Sequence, residues 1–276
     1  MNLENEIKNL SNKVKENMQD NNDYMHEGLL YCGNCKTKKQ KVFNTPWGQS
    51  IVYCLCECEK EKRDKRLKEE QLKEELRYIE RLKIAGIQDK EIHSYTFENA
   101  ESDKYIEKAK KYCENWEQIY ENNNGLLLWG DVGTGKTFVA GCIANYLLQH
   151  RIPVLVTSLS KIINDLQGFG IQDKNEYLES LNKFKLLVLD DLGAERQSEF
   201  ALEQVFNVID NRYKNGQPVI ITTNLSLTEL KEPKDVKYKR IYDRILEMCV
   251  PLKFEGESKR PKKSKDKLDV LRDILK

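Results

Sequence analysis

The sequence of 276 residues is long enough for one medium-sized domain with an appendage, and 33% of its residues are charged while 39% are hydrophobic. A formal net charge of +1 excludes a uniformly basic surface, so a nucleic acid would have to meet a local patch. The sequence shows neither a signal peptide nor an apolar run long enough for a membrane span, which predicts a cytoplasmic protein with no membrane contact. Eight cysteines in such a chain are better explained as metal ligands or buried thiols than as disulfides.

The first residues predict an amphipathic helix. Apolar residues recur there at spacings of three and four, at Leu3, Ile7, Leu10, Val14 and Met18. An apolar stripe of this kind needs a surface to pack against. Two interpretations stay open: the helix packs on the rest of this protein, or it docks on another protein.

A cluster of five cysteines follows. Cys32 and Cys35 form a C-x-x-C pair that lets two thiolates converge on one ion, and Cys54, Cys56 and Cys58 come after it. A C-x-C pair on an extended strand would place its two sulfur atoms on the same face. The pattern predicts a zinc ribbon whose structural zinc is held by Cys32, Cys35, Cys56 and Cys58, with Cys54 as a possible substitute. The alternative is a group of plain buried thiols.

The patterns along the sequence predict that the chain has four parts. Residues 59–83 form a run of mixed charge with apolar residues at helical spacing, typical of a solvated linker helix, and residues 103–120 predict another helix. The predicted organisation is an N-terminal helix and zinc ribbon over residues 1–60, a charged linker helix over 61–95, a core over 96–260 and a basic tail over 261–276.

A glycine-rich loop follows a short apolar strand at residues 126–129 and precedes a helix at residues 138–148. It matches the pattern G-x-x-x-x-G-K-T with Gly130, Asp131, Val132, Gly133, Thr134, Gly135, Lys136 and Thr137. Glycines let successive backbone N–H groups face a triphosphate, and the helix N-terminus adds its positive end. The loop therefore predicts ATP binding, with Lys136 on the β- and γ-phosphates and the Thr137 hydroxyl on Mg²⁺.

Three more apolar strands are predicted, at residues 153–157, 186–189 and 219–223, with helices between them. The second of these ends in Asp190 and Asp191, and the third in Asn224. The alternation predicts an α/β fold in which a parallel sheet has its ligand at the carboxyl ends of the strands. We expect Asp190 to hold Mg²⁺, Asp191 to orient the attacking water, and Asn224 to contact that water or the γ-phosphate.

The order of these motifs resembles an AAA+ ATPase. More closely, it is similar to the DnaC family of helicase loaders and its DnaI-like and phage-encoded relatives, with the IstB transposition ATPases as cousins. The resemblance covers about residues 95–260. It is carried by residues 125–137, 190–196, 211–213 and 256–260.

The resemblance implies further roles. Asp190 becomes the Walker B acid and Asn224 the sensor 1 residue. Arg240 becomes the candidate arginine finger that reaches a neighbouring subunit, with Arg244 one turn later on the same helix face, and Arg260 becomes sensor 2. A finger that acts between subunits implies self-association. The alternative for the two helical arginines is a plain solvated face.

Asp191 stands where AAA+ proteins usually carry a catalytic glutamate, so the resemblance implies slow, switch-like ATP hydrolysis. The function it implies is the loading of a DnaB-type replicative helicase onto single-stranded DNA. Two alternatives are kept: an IstB-like helper of DNA transposition, and a nucleotide-gated adaptor with little hydrolysis. The basic residues of segment 258–267 either grip DNA phosphates or form a solubilising tail.

Overall fold

The structure is a computed structural model of the chain. It describes residues 22–46, 48–168, 173–195, 198–233, 235–258, 271 and 275. The predicted N-terminal apolar stripe, Arg260 and the basic residues from Lys259 onward lie outside the described residues. The chain divides into two compact units, residues 1–76 and residues 77–276.

The first unit contains two short antiparallel hairpins. Its strands are β1 (Tyr24–His26), β2 (Leu29–Tyr31), β3 (Gln40–Thr45) and β4 (Gly48–Tyr53). β1 pairs with β2, and β3 pairs with β4. Leu30, Cys32 and Cys56 are buried, whereas most side chains of β3 and β4 are exposed. Because the described residues of this unit bury so few apolar side chains, they need a further source of stability, such as a metal.

A buried ion pair joins the parts of this first unit. The Lys39 ammonium lies 2.7 Å from Asp23 Oδ2 and 3.1 Å from Glu59 Oε1. Burial disfavours the charge of Lys39, but the two carboxylates outweigh burial and raise its pKa. Lys39 therefore fixes the start of β3 against residues before β1 and after β4.

The long helix α1 spans Glu57–Gly86, slightly more than the predicted linker helix. The prediction that Cys56 and Cys58 share an extended strand is wrong, because Cys58 lies in the first turn of this helix. The backbone N–H of Cys56 donates to Glu59 Oε2 at 3.0 Å, which helps to start the helix there. A C-x-C pair fits a strand and a helix start equally well, so its spacing alone did not decide between them.

The second unit contains most of the regular structure. In chain order its elements are α2 (Lys104–Glu114), α3 (Trp116–Glu121), β5 (Gly125–Gly130), α4 (Lys136–Gln149), β6 (Val154–Ser158), α5 (Leu159–Gln167), α6 (Lys174–Ser180), β7 (Leu186–Leu192), α7 (Glu199–Lys214), β8 (Val219–Thr223), α8 (Leu227–Lys231), α9 (Val236–Met248) and β9 (Cys249–Phe254). The five strands form one sheet in the order β6-β7-β8-β5-β9, and all neighbours are parallel. The predicted parallel α/β sheet is confirmed.

Both faces of this sheet are buried. Leu127 packs with α5, α7 and α9 on one face, and the next residue, Leu128, packs with α2 and α4 on the other. Side chains alternate between the faces of a strand, so a strand covered on both sides reads as a continuous apolar run. Among the described residues, none of the helices combines the length and apolarity that a membrane span requires.

The segment after α1 belongs to the body of the second unit. Ile87 pairs with Val156 in a parallel bridge, and Ile87 and Ile92 are both buried in the same hydrophobic cluster. Residues 87–95 fall within the linker predicted from the sequence. That domain division stays a prediction, but this part of it packs on the sheet.

Two features of the second unit were not predicted. The single helix expected over residues 103–120 is interrupted at Asn115, whose side chain donates to the Lys111 carbonyl at 2.8 Å and ends α2. The strand β9 was missed because it contains Pro251 and its burial does not alternate. Proline is tolerated there because β9 lies at the edge of the sheet.

Arg212 is a buried cation with a structural task. It is 1% exposed, and its guanidinium donates to the carbonyls of Phe184 at 2.9 Å, Lys185 at 3.2 Å and Pro218 at 2.7 Å. Burial lowers its pKa to about 10. These carbonyls immediately precede β7 and β8, so Arg212 ties the amino ends of two neighbouring strands together.

Candidate nucleotide-binding site

The glycine-rich loop connects β5 to α4 in the conformation that its glycines allow. Gly133 and Gly135 have φ angles of 83° and 99°, a left-handed region that other residues rarely adopt. The Thr134 hydroxyl donates to the Asp131 carbonyl at 2.8 Å and closes the loop on itself. Helix α4 begins directly after Gly135. The loop thus points the N-terminus of a fourteen-residue helix at the space it encloses.

Lys136 lies at the centre of this loop. Its side-chain ammonium donates to the carbonyls of Gly130 and Asp131, both at 2.7 Å, and to Asn224 Oδ1 at 2.9 Å. The residue is 5% exposed. A cation held by three oxygen atoms at the mouth of a glycine loop is poised to contact phosphate oxygens. The contact with Asn224 joins the end of β8 to the loop. The role predicted for Asn224, a contact with the attacking water or the γ-phosphate, stays a prediction.

Asp190 faces the start of α4 from the neighbouring strand β7. Its Oδ1 accepts hydrogen bonds from Thr137 Oγ1 at 2.9 Å and Thr222 Oγ1 at 2.6 Å. Burial raises the pKa of Asp190, although both hydroxyl groups partly offset this effect. A carboxylate and a hydroxyl 2.9 Å apart form a hard-oxygen donor set that fits Mg²⁺. Thr137 and Asp190 would hold that ion, which would supply charge neutralisation for the phosphates.

Asp191 has a different environment from Asp190. It is exposed, and its φ angle of 58° lies in the left-handed region. Its backbone N–H donates to Thr222 Oγ1 at 2.9 Å, so one threonine on β8 fixes both acidic residues. Aspartate tolerates this backbone region better than most residues do. The pairing of β7 with β8 is irregular between Leu189 and Leu192, and Asp191, within this irregularity, lines the same cavity as Asp190.

These groups line one cavity of about 760 Å³ at the carboxyl edge of the sheet. Its lining includes Gly133, Thr134, Gly135, Lys136, Thr137, Asp190, Asp191 and Asn224. The structure therefore brings together the predicted phosphate loop, metal acid, water-orienting acid and sensor 1 residue. Arg240 does not belong to the part of the cavity lining that the described residues form. Gly133 also lies against Ser258, so closely that a Cβ at position 133 would overlap the Ser258 side chain.

Arg240 and Arg244 lie on α9 and share the Phe206 ring, with guanidinium carbons 4.8 Å and 4.7 Å from its centroid. Arg244 is also ion-paired with Asp210, and both side chains are largely buried. Arg240 is exposed. The two arginines therefore differ: Arg244 is engaged within the chain, whereas Arg240 presents its charge at the surface.

Substitution separates their roles. Arg240→Ala is expected to lower ATP turnover about a thousandfold if it is the finger, with little change in melting temperature. Arg244→Ala should instead lower the free energy of unfolding by about 2 kcal/mol, because Asp210 loses a charged partner. Turnover assays and thermal melts check both results. An Arg240→Ala variant with wild-type turnover would contradict the assignment.

A second hollow, of about 810 Å³, lies at the opposite edge of the sheet. It is lined by residues that precede β5, β6 and β7, among them Tyr120, Ile152 and Lys185. It contains none of the predicted phosphate-binding groups. The smaller cavity at the glycine loop is therefore the candidate site, because it holds the chemistry that a nucleotide requires.

The thiols of Cys32, Cys35, Cys56 and Cys58 come together in the first unit. Their four sulfur atoms all lie within 4.8 Å of one another. The sulfur of Cys58 is 3.5 Å from that of Cys32 and 3.2 Å from that of Cys56. Four sulfurs around a tetrahedral zinc are about 3.8 Å apart when each Zn–S bond is about 2.3 Å. The set fits zinc, and these four cysteines would hold it. Cys54 points elsewhere, towards the Lys38 carbonyl at 3.5 Å.

Comparison with known proteins agrees with a nucleotide-binding site at the glycine-rich loop. The sequence profile of the family described as IstB-like ATP binding protein matches residues 37–267, which is most of the chain. The chain belongs to this IstB-like ATP-binding family. The expected resemblance to helicase loaders is also confirmed by individual relatives.

Two relatives and one solved structure illustrate the similarity. The replicative helicase loader DnaI of Bacillus subtilis is 30% identical over 148 residues, 49% of this chain and 47% of DnaI. The replicative helicase loader DnaC of Buchnera aphidicola (subsp. Schizaphis graminum) is 26% identical over 173 residues, 60% of this chain and 68% of DnaC. A crystal structure of DnaI aligns with a TM-score of 0.52 and 27% identity, covering 62% of this chain and 96% of that one.

The chain of this IstB-like protein spans about half the length of the Bacillus loader. The AAA+ type of fold, a parallel sheet with flanking helices around a phosphate loop, is shown by the structure and its neighbours. Sequence reasoning missed Thr222, although it lies two residues before Asn224 in the Thr-Thr-Asn run at the end of β8. It also missed the buried Asn145 of α4, whose side chain contacts the carbonyls of Ile92 and Tyr95 and which carried no recognisable signal.

Proposed function

We propose that this protein is a cytoplasmic, ATP-dependent loader that delivers a DnaB-type replicative helicase onto single-stranded DNA. The observation that carries the proposal is the cavity in which Lys136, Thr137, Asp190 and Asn224 converge. Relatives with the same core are named replicative helicase loaders. The ATP state of the core would control when the helicase is released.

The geometry supports a defined division of labour during hydrolysis. The phosphate loop and Lys136 hold the β- and γ-phosphates, while Asn224 keeps Lys136 in place. Thr137 and Asp190 would hold Mg²⁺. Asp191 would orient a water for attack on the γ-phosphorus and accept its proton, with ADP as the leaving group. Arg240 of a neighbouring copy would complete the site, since Arg240 lies outside the described lining of its own cavity.

A conservative change at Asp191 tests the hydrolytic part of this proposal. Asp191→Asn keeps the size of the side chain but removes the charge that accepts a proton. We expect turnover to fall about a hundredfold, the lower range for a lost general base, while ATP affinity stays near wild type. Turnover and equilibrium binding of ATP should be measured on the same preparation. Unchanged turnover in the variant would contradict the role of Asp191 as the base, whereas negligible turnover of the wild-type chain would favour the nucleotide-gated adaptor.

The predicted N-terminal helix supplies the proposed contact with the helicase. Its apolar stripe lies outside the described residues, so the proposal rests on the sequence pattern. In size-exclusion chromatography with Mg·ATP, the full chain should co-migrate with a replicative helicase from the same cell. A Leu10→Asp, Val14→Asp variant should not. The matched control places the same charges on the polar side, as Asn5→Asp, Asn12→Asp.

A second candidate is favoured by the family match itself, which carries the IstB name. In that case the protein would assist DNA transposition and bind duplex DNA. If the full chain fails to co-migrate with the helicase, we expect ATP-dependent binding to duplex DNA instead. Gel-shift titrations with single-stranded and duplex DNA of equal length would decide between the two.

A further inference from the structure

The segment between α1 and α2 forms one wall of the nucleotide cavity. Asp89, Glu91, Tyr95 and Asn99 all line it, together with the phosphate loop. None of these four residues has a role predicted from the sequence. Apart from one short 3-10 turn at Ile92–Ser94, the segment has no regular structure over this stretch. Beyond the bridge between Ile87 and Val156, its position therefore depends on specific side-chain contacts rather than on a hydrogen-bonded ladder.

Asn145 supplies the main contact. Its side-chain Nδ2 lies 2.7 Å from the Ile92 carbonyl, 2.9 Å from the Tyr95 carbonyl and 3.1 Å from the Gly141 carbonyl. Asn145 is 1% exposed. A buried carbonyl that loses its hydrogen-bond donor stays desolvated without compensation, so loss of these contacts is expected to displace the segment. Asn145 lies on α4, the helix that begins with Lys136 and Thr137.

A second contact lies one turn earlier on the same helix. A Cβ built on Gly141 would stand 2.7 Å from Tyr95 Cδ2 and 3.2 Å from Ile92 Cγ2. Only glycine lets the segment approach the helix this closely. The Tyr95 ring also packs on Phe138 of the same helix, with centroids 5.0 Å apart. The cavity wall is thus seated on α4 through both its backbone and its aromatic side chain.

We propose that Asn145 is a positioning residue that sets the wall of residues 89–95 against the phosphate loop, so that the cavity accepts the nucleoside part of ATP. The wall offers the chemistry that a nucleoside needs. The Asp89 and Glu91 carboxylates can accept from an exocyclic amine or ribose hydroxyls, and the Tyr95 ring offers an apolar surface. The inference rests on the proposed binding of ATP, but it concerns the base and ribose, not the phosphates.

The test compares two ligands that share their phosphates: Mg·ATP and inorganic Mg·tripolyphosphate. For Asn145→Ala, we expect the affinity for ATP to fall at least about tenfold, the loss of one buried hydrogen bond or more, while tripolyphosphate affinity stays within about twofold. Asn164→Ala, an exposed asparagine on α5, should change neither affinity. Isothermal titration on the full chain measures all of these values.

Gly141→Ala provides an independent route to the same effect. Alanine is a better helix former than glycine, so α4 itself is not weakened. The added methyl group displaces Tyr95 and Ile92, and ATP affinity should fall while tripolyphosphate affinity is kept. Equal losses for both ligands, or no loss for either in both variants, would overturn the inference. A wild-type protein that binds neither ligand would instead overturn the proposed function, and the inference with it.

Discussion

Replacing Lys136 by alanine is expected to weaken Mg·ATP binding at least about a hundredfold, since charge-assisted hydrogen bonds to two phosphates are removed together. The structure shows how this ammonium is positioned for that contact. Lys136 is 5% exposed, and its ammonium is the group that the loop carbonyls and Asn224 hold in the cavity. Titration of ATP into the variant measures the loss.

The matched control for this change is Lys108→Ala, which removes an exposed lysine from α2. It should leave ATP affinity unchanged, because Lys108 does not line the cavity. A thermal melt of each variant shows whether the fold is kept. If Lys136→Ala binds ATP as tightly as the control does, the glycine loop is not the phosphate site.

Loss of the zinc that the four clustered cysteines would hold is expected to unfold the first unit. Structural zinc in small domains contributes about 10–16 kcal/mol of apparent binding energy, far more than the few buried side chains around Leu30 can replace. Cys56→Ser should therefore abolish stoichiometric zinc and make the first unit sensitive to protease. Metal content by mass spectrometry and limited proteolysis measure the two effects.

Cys54→Ser is the control that the structure offers. Cys54 lies outside the group of four sulfurs and contacts the Lys38 carbonyl, so its loss should leave one zinc per chain. The four-cysteine assignment predicts opposite results for the two variants. Zinc retained in Cys56→Ser but lost in Cys54→Ser would show that the ribbon uses Cys54 as its ligand.

Local patterns were enough to predict the residues that the structure brings together around the glycine loop. The glycine loop, the strand end at Asp190 and the strand Val219–Thr223 each follow from a few consecutive residues. The carboxyl ends of parallel strands meet at one edge, so a correct fold class was enough to place Asp190 and Asn224 beside Lys136. In the structure, Thr137 donates a hydrogen bond to Asp190, and Lys136 donates one to Asn224.

Contacts between distant residues were not predictable from these patterns. Asn145 binds carbonyls about fifty residues earlier in the chain. Arg212 binds carbonyls of the residues that precede two different strands, β7 and β8. A single buried asparagine or arginine in an apolar helix does not reveal its partner. The helix start at Glu57, which places Cys58 in the first turn, was missed for a related reason, because the capping contact from Glu59 depends on three-dimensional geometry.

The different environments of Arg240 and Arg244 also required the structure. Both stand on one helix face with the spacing of a turn, and the sequence offers no way to separate them. The ion pair with Asp210 singles out Arg244 as an intrachain residue. Arg240 packs over Phe206 and is exposed, so it is the one of the two arginines that stays accessible to a neighbouring copy.

The most direct test of the central claim is a loading assay on circular single-stranded DNA, which a closed helicase ring cannot thread unaided. Helicase retained on the circles is counted with Mg·ATP, with and without the full chain, and with the Leu10→Asp, Val14→Asp variant. We predict that the wild-type chain increases the retained helicase severalfold and that the variant does not. Equal retention with and without the wild-type chain would contradict the loader function.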